Sequence, residues 1–192
     1  MATLSIVTYP HPVLKQKAAE VTVFDEALAQ LVADMAETMY AAPGVGLAAP
    51  QVGISQQVCV VDISQPEEGE PKELWVLINP VIVETREPIS WEEGCLSLPG
   101  LYREVPTYNW ALIKAADVTG QRRILNGSGL LAVAMLHEIE HLQGRVFIDR
   151  LGPLKRRFAL KAYRRLSEKP QPAPAATDAS APPAPSSPPE SS

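Results

Sequence analysis

The stretch LHEIEHLQG, residues 136–144, carries two histidines four positions apart, with a glutamate directly after the first. Positions i and i+4 lie on one face of a helix, so His137 and His141 can direct two imidazoles at one metal ion while Glu138 stays beside it. The alternative interpretation is an exposed helical turn that carries these residues for solubility alone. A metal site requires a third ligand from elsewhere in the chain.

Histidine and glutamate offer few candidates for that third ligand. The longer pattern HExxHxxGxxH is followed up to its last position, where Phe147 replaces the histidine. His11 lies between two prolines in YPHPV, which predicts a surface turn. Glu168 is the downstream glutamate that remains before the C-terminal tail, and it is the weaker alternative because it follows a strongly basic stretch.

Cysteine is the other ligand type that fits. Cys59 lies inside the apolar run QVCVVDI, where a small buried side chain explains it. Cys95 stands in WEEGCLSLPG. Two acids and a glycine precede it and a Pro-Gly turn follows it, which is typical of a loop. The set Cys95, His137 and His141 leaves a fourth tetrahedral position open, as catalytic zinc sites do.

The segment GVGLAAPQVG, residues 44–53, is a second unusual stretch. It is not a phosphate loop, because it lacks the GxxxxGK[ST] spacing and contains no lysine. Its glycines permit close approach of the backbone to a ligand, and Gln51 offers an amide N–H donor.

Composition limits the class of protein. With 192 residues, 46% hydrophobic and 20% charged, the chain is expected to form one domain over residues 1–169. Residues 170–192 contain eight Pro, six Ala and five Ser and are predicted to be disordered. We find no membrane span or leader peptide, and two cysteines are too few for a disulfide scaffold, so we expect a cytoplasmic protein without membrane contact.

Local patterns predict an α+β fold. A first helix is expected from Asp25 to the Pro-Gly pair at residues 43–44, a second after NGSG at residues 126–129, and a third from Pro153. Between the first two, the β-rich runs QVCVVDI, LWVLINPVIVET and WALIKAADVTGQRRIL predict antiparallel strands. We therefore expect antiparallel sheets packed around a central helix that bears the HExxH motif.

Three segments in this order, GVGLAAPQ, EGCLS and HEIEH, resemble the signature motifs of the peptide deformylase family. The similarity extends from about residue 9 to about residue 168. It implies a metal-dependent hydrolase that removes the formyl group from the N-terminal formylmethionine of newly made polypeptides and releases formate. Two alternatives remain: a metallopeptidase that uses the same HEIEH site, and a deformylase-like binding protein that has lost catalysis.

The resemblance also implies roles for individual residues. Cys95, His137 and His141 would hold one divalent metal, usually Fe2+ in the cell, with Zn2+, Ni2+ or Co2+ as substitutes. Glu138 would act as general base and then as acid, while Gln51 and the backbone N–H of Leu96 would bind the oxyanion. The substrate backbone would pair with Val45, Gly46 and Gly94. The wall of the methionine pocket would include Val45, Trp91, Leu130, Val133, Ala134 and His137.

The chain departs from the family pattern at three positions. Leu136 and Glu140 stand where the family usually has Gln and Asp before the two histidines. Thr107 stands where many members carry an arginine that pairs with that Asp. The ligands and the base are all present, so we expect a metal site in which the support around the ligands has changed.

Charge is unevenly distributed along the chain. The net charge is −5, yet residues 145–169 contain nine Lys and Arg against two acids. This asymmetry predicts a polyanionic partner, and the resemblance implies that the basic C-terminal helix, residues 153–169, docks on the ribosome. In the alternative interpretation, the helix packs its apolar residues on the core and its charges are simply solvated; these residues are Leu154, Phe158, Leu160 and Leu166.

Overall fold

The computed structural model of the protein describes residues 3–64 and 73–168. Within these ranges, the regular elements are three α-helices and five strands: α1 Glu26–Ala41, β1 Gly46–Ala48, β2 Val58–Val61, β3 Trp75–Glu93, β4 Arg103–Ala116, β5 Arg122–Ser128, α2 Leu130–Leu142 and α3 Pro153–Ser167. Short 3₁₀ helices cover Pro12–Lys15, Ala49–Val52 and Phe147–Arg150. The predicted tail, residues 170–192, lies outside the described residues and its disorder stays a prediction.

The predicted helices form with the expected ends. The Asp25 side chain accepts a hydrogen bond from Leu28 N at 3.0 Å and so caps α1. The buried face of α1 includes Leu28, Val32, Met35 and Met39. Proline at the first position suits the start of α3, since its missing N–H has no partner there in any helix. The α+β prediction is confirmed in its general form.

The strands form a single antiparallel sheet in the order β1-β2-β3-β4-β5 within the part of the chain that the structure describes. The sequence predicted more than one sheet. The difference arises because β3 and β4 are long and pair along most of their length, with shifts in register near residues 78–81 and 82–84. Such bulges bend and twist a strand, so one long sheet can take the place of the separate sheets that the sequence predicted.

Strand lengths also differ from the prediction. The run LWVLINPVIVET ends at Thr85, but β3 continues to Glu93 through a polar segment that contains Pro88. The NGSG segment was predicted as a break before the second helix, yet its first three residues, Asn126 to Ser128, complete β5. In both places, pairing with β4 outweighs the local composition.

The helix α2 lies at the centre of the molecule. It contacts β1, β2, β4 and β5 and the 3₁₀ helix Ala49–Val52. Ten of its thirteen residues are buried, so it is a core helix rather than an amphipathic surface helix. The exposed-turn interpretation of HEIEH is therefore wrong.

The helix α3 lies on the surface. Its fully buried residues are Ala159 and Tyr163, and Leu160 packs partly against the same cluster. Leu154, Phe158 and Leu166 are 65%, 60% and 39% exposed, so the expectation that they pack on the core is wrong for these three. None of the described helices is both long and apolar enough to traverse a lipid bilayer.

Candidate active site

One face of α2 brings three of the four ionisable residues of the HEIEH motif into the interior. The exposed fractions of His137, Glu138 and His141 are 8%, 4% and 0%. The ring centroids of the two histidines are 5.0 Å apart, as the i and i+4 spacing requires. Burial lowers the pKa of His141 well below its usual value, which favours the neutral imidazole that metals bind.

Cys95 meets the two histidines from the loop after β3. Its Sγ lies 3.2 Å from His141 Nε2, and one ligand atom from each of the three residues lies within 4.8 Å of the others. In a tetrahedral zinc site, sulfur and nitrogen ligands are about 3.6 Å apart, so the spacing fits one shared ion. Cys59 is fully buried in β2 and His11 is exposed in its turn, so neither joins this group.

The charges around His137 also fit a cation. Burial acts to lower the pKa of His137, but contacts with Cys95 and Glu93 raise this pKa well above its usual value. These contacts therefore favour positive charge beside His137. A divalent metal bound by a thiolate and two imidazoles supplies that charge without a proton on the ring.

Gln51 is held in one orientation beside this group. Its Oε1 accepts a hydrogen bond from Ala48 N at 2.8 Å, which turns Nε2 towards Cys95 Sγ at 3.5 Å. The side chain is 1% exposed and cannot rotate freely in the packed interior. The amide N–H group therefore points to the space beside the predicted metal ligands.

Glu138 is buried next to the backbone of the glycine-rich segment. Burial raises its pKa to about 7, with the charge of Glu93 acting in the same direction and that of His137 opposing it. Its Oε2 has no hydrogen-bond partner in the described part of the chain. A Cβ on Gly46 would lie 2.5 Å from Glu138 Oε1, so only glycine leaves room for the carboxylate there.

A cleft of about 400 Å³ opens over this group of residues. All the predicted site residues line it except His141, which lies beneath its floor: Val45, Gly46, Gln51, Trp91, Gly94, Cys95, Leu96, Leu130, Val133, Ala134, His137 and Glu138. Trp91 is partly buried and Leu130 is 38% exposed, so both lie near the mouth. The structure thus brings together segments that are more than 80 positions apart in the chain.

Tyr102 is a lining residue that the sequence did not reveal. A Cβ on Gly94 would lie 2.5 Å from its ring, so the ring covers the Gly94 backbone at the edge of the cleft. The side chain is 60% exposed and therefore accessible from solvent. An exposed tyrosine two residues after a Pro-Gly turn gives no signal in the sequence.

Glu93 and Arg150 are further residues that sequence reasoning missed. Glu93 Oε2 lies 2.7 Å from His137 Nδ1 and bonds Arg150, while Arg150 Nε lies 3.0 Å from Glu140 Oε2. Burial acts to raise the pKa of Glu93, but hydrogen bonds with His137 and Arg150 hold this pKa below its usual value. Residues i and i+2 of a strand share a face. Glu93 follows the predicted pocket residue Trp91 by two positions, so the sequence could have placed Glu93 on the same face of the strand.

Comparison with known proteins gives consistent matches. Residues 3–157 match the family described as polypeptide deformylase. A curated peptide deformylase from Syntrophobacter fumaroxidans is 50% identical over 169 residues, which are 88% of this chain and 98% of that protein. A crystal structure of a peptide deformylase from Legionella pneumophila aligns with a TM-score of 0.79 at 42% identity, over 88% of this chain and all of that one. A peptide deformylase from Ehrlichia chaffeensis in complex with actinonin aligns with a TM-score of 0.79 at 37% identity, over 88% of this chain and all of that one.

Proposed function

This chain belongs to the peptide deformylase family, and on that premise we propose which of its residues perform the reaction. The chain is a metal-dependent hydrolase that removes the N-formyl group from the N-terminal formylmethionine of polypeptides and releases formate. One observation supports the assignment of roles most strongly. The Cys95 sulfur, two imidazoles and a buried carboxyl group converge at one open cleft.

Cys95, His137 and His141 hold one divalent metal in this proposal. A cation there supplies Lewis-acid activation of water and of the formyl carbonyl. We propose Fe2+ as the ion in the cell, with Zn2+, Ni2+ or Co2+ able to replace it, because a mixed thiolate and imidazole set binds any of these metals. The spacing of the three ligand atoms supports a single ion.

Glu138 carries the proton in this proposal. A pKa of about 7 lets the carboxylate take a proton from the attacking water and later give it to the leaving amine at neutral pH. Its Oε2 has no hydrogen-bond partner within the described residues, so no hydrogen bond has to break before this oxygen accepts a proton. Glu138 contributes no metal ligand, which separates its effect on catalysis from any effect on metal content.

The oxyanion is bound by donors at the edge of the cleft. Gln51 Nε2 and the backbone N–H of Leu96 are proposed to donate hydrogen bonds to the carbonyl oxygen as negative charge develops on it. The bond from Ala48 N to Gln51 Oε1 supports this role, because it fixes the amide with its N–H group towards the site. Each such donor typically lowers the barrier by about 2.7–4 kcal/mol.

The substrate lies along the cleft in an extended conformation. We propose that Val45, Gly46 and Gly94 bond its backbone as an added strand, which requires a close approach that glycine permits. The methionine side chain enters an apolar pocket lined by Val45, Trp91, Leu130, Val133, Ala134 and His137. These residues all border the same cleft, which supports the assignment.

The experiment that tests these roles measures formate release and metal content in protein purified without oxygen. We expect turnover of formyl-Met-Ala-Ser and none of the same peptide without the formyl group or of a long unformylated peptide. Cys95→Ala should lose most of the metal, whereas the matched control Cys59→Ala should keep it, because Cys59 is buried in β2 and does not line the cleft. Metal retained by Cys95→Ala would contradict the ligand set, and cleavage of the unformylated peptide would favour a metallopeptidase. Bound metal without formate release in the wild type would favour a binding protein.

A second proposal concerns the basic helix α3. We propose that it docks the enzyme on the ribosome in the cytoplasm, where formylated nascent chains emerge. Residues with exposed side chains form one face that combines apolar and basic groups: Leu154, Arg157, Phe158, Lys161 and Arg164. Such a face supports contacts with RNA phosphates that weaken as salt rises.

Co-sedimentation with ribosomes at low and high salt tests the docking. The variant Arg157→Glu, Lys161→Glu, Arg164→Glu should lose binding at low salt. The control reverses three exposed basic residues outside α3, Lys17, Lys114 and Arg122, and should still bind. Equal sedimentation of both variants, with equal cleavage of a free tripeptide, would contradict docking through α3.

A further inference from the structure

A buried chain of charged groups runs behind the predicted metal ligand His137. Glu93 Oε2 lies 2.7 Å from His137 Nδ1 and 2.5 Å from Arg150 Nη2. Arg150 also forms an ion pair with Glu140 at 3.0 Å and donates to Pro106 O at 2.9 Å. The side chains of His137, Glu93, Arg150 and Glu140 are 8%, 4%, 12% and 16% exposed.

Two carboxylates at this depth require positive charge close by. Glu93 and Glu140 have little solvent to screen them, and an unpaired buried carboxylate is costly. Arg150 is the group that contacts both, and its planar guanidinium can face two carboxylates at once, which a single ammonium cannot do as well. Arg145 also approaches Glu140, but at 3.6 Å and with 48% of its side chain exposed.

The position of this arginine in the chain is unexpected. The resemblance implies an arginine that many members carry after the EGCLS loop, at the position of Thr107, whereas Arg150 comes from the 3₁₀ helix Phe147–Arg150 that follows α2. The two positions converge in space. Thr107 and Arg150 line one surface cleft, and Arg150 bonds the carbonyl of Pro106, the residue before Thr107.

We propose that Arg150 is a positioning residue of the metal site, which acts through Glu93 on His137 and replaces the cation missing at position 107. Arg150 holds the Glu93 carboxylate, and the carboxylate fixes the orientation of the His137 ring through its contact with Nδ1. The Nε2 atom is then directed at Cys95 and His141. Partners of this kind orient metal-binding histidines, and their loss typically costs about 10–100-fold in metal affinity or activity.

The inference rests on the proposed metal ligands. The test therefore distinguishes failure of the Arg150 role from failure of the ligand set. Co2+ is loaded into wild type and Arg150→Met, and its affinity, visible spectrum and release rate to a chelator are measured beside kcat and KM. We expect Arg150→Met to release Co2+ about 10–100-fold faster and to show a changed spectrum. Its kcat should fall while KM changes little, because Arg150 lies behind His137 and outside the substrate cleft.

Three further variants give the control and the rescue. Arg145→Met removes a cation that pairs with the same Glu140 but does not touch Glu93, so it should release Co2+ as wild type does. Arg150→Lys should fall between wild type and Arg150→Met. The double variant Thr107→Arg, Arg150→Met should recover slow Co2+ release, because the new arginine borders the same cleft.

The outcomes distinguish the possible failures. Co2+ release from Arg150→Met within about twofold of wild type would overturn the positioning role and leave the proposed metal ligands intact. Equal acceleration in Arg145→Met would also overturn it, because a general loss of charge would then explain the effect. A wild type that binds no Co2+ would overturn the proposed ligands themselves. If Arg150→Met does not fold, Arg150→Lys decides: Co2+ release and spectrum equal to those of wild type overturn the role, and faster release with a changed spectrum supports it.

Discussion

The helices α2 and α3 have similar lengths and both contain ionisable residues, yet they place these residues in opposite environments. In α2, His137, Glu138 and His141 are buried, and each has neighbours from distant segments. In α3, the basic side chains are mostly exposed, and so are Leu154 and Phe158. Buried charge needs a specific set of partners, so α2 is suited to chemistry, whereas α3 offers a surface that a partner can cover.

The largest effect is expected at the buried carboxylate of α2. Glu138→Gln keeps the shape of the side chain but cannot carry the proton, so kcat for formyl-Met-Ala-Ser should fall by at least about 10²–10⁴-fold. Metal content should stay at the wild-type level, because Glu138 is not one of the proposed ligands. Formate release and metal quantification on the same sample measure the two quantities.

Glu104→Gln is the matched control for this change, since Glu104 is exposed on β4. It should leave both quantities unchanged. Near-normal turnover in Glu138→Gln would show that burial of this carboxylate serves packing rather than proton transfer. The contrast between the two helices would then lose its functional meaning.

The next effect concerns the backbone that faces Glu138. In Gly46→Ala the new Cβ would lie 2.5 Å from Glu138 Oε1, so the carboxylate has to move. A displacement of about 1 Å at a reacting group can cost about 10²-fold in rate, and we expect a loss of that order in kcat. Gly152→Ala is the control, because no atom lies within 4 Å of its added Cβ and its φ of −60° suits alanine. Equal activity of the two variants would show that the site tolerates movement of Glu138.

How far the sequence predicts the site follows from the same contrast. The spacing of His137, Glu138 and His141 is local, so a single helical turn predicts their common face. Cys95 required its loop context as well. The contacts of Glu93 and Arg150 join residues 57 positions apart, and no local pattern encodes such a pair. The sequence therefore predicts which residues converge in the buried site better than it predicts the neighbours that hold them in place.

The fold shows a similar limit. Helix ends were predictable because Asp25 and Pro153 act on their own helices. The C-terminal half of β3 was not, since its residues are polar and largely exposed and it is stabilised by pairing with β4. Strand pairing depends on a partner elsewhere in the chain, whereas a helix cap depends on its immediate neighbours.

A smaller effect is expected at the mouth of the cleft. Trp91 is partly buried there, so Trp91→Ile should widen the pocket and shift preference from formyl-Met towards formyl-Phe peptides by about tenfold in kcat/KM. Trp110→Ile is the control, because Trp110 lies under Arg86, with 4.5 Å from ring centroid to guanidinium carbon, away from the cleft. An unchanged preference in Trp91→Ile would assign this indole to packing alone.

The smallest effect is expected at the exposed ring of Phe158 in α3, and the buried ring of Phe147 in the preceding 3₁₀ helix provides the matched comparison. Phe147 is 1% exposed and its ring stacks 5.9 Å from that of His137, whereas Phe158 is 60% exposed. Phe147→Ala should lower the free energy of unfolding by about 3–5 kcal/mol, because it leaves a cavity beside the His137 ring. Phe158→Ala should change it by no more than about 0.5 kcal/mol, as is usual for exposed positions. Urea unfolding of both variants measures the difference. A loss above about 2 kcal/mol in Phe158→Ala would show that this ring packs against the body of the protein, as Ala159 and Tyr163 of α3 do, and the ring would then no longer support a docking surface.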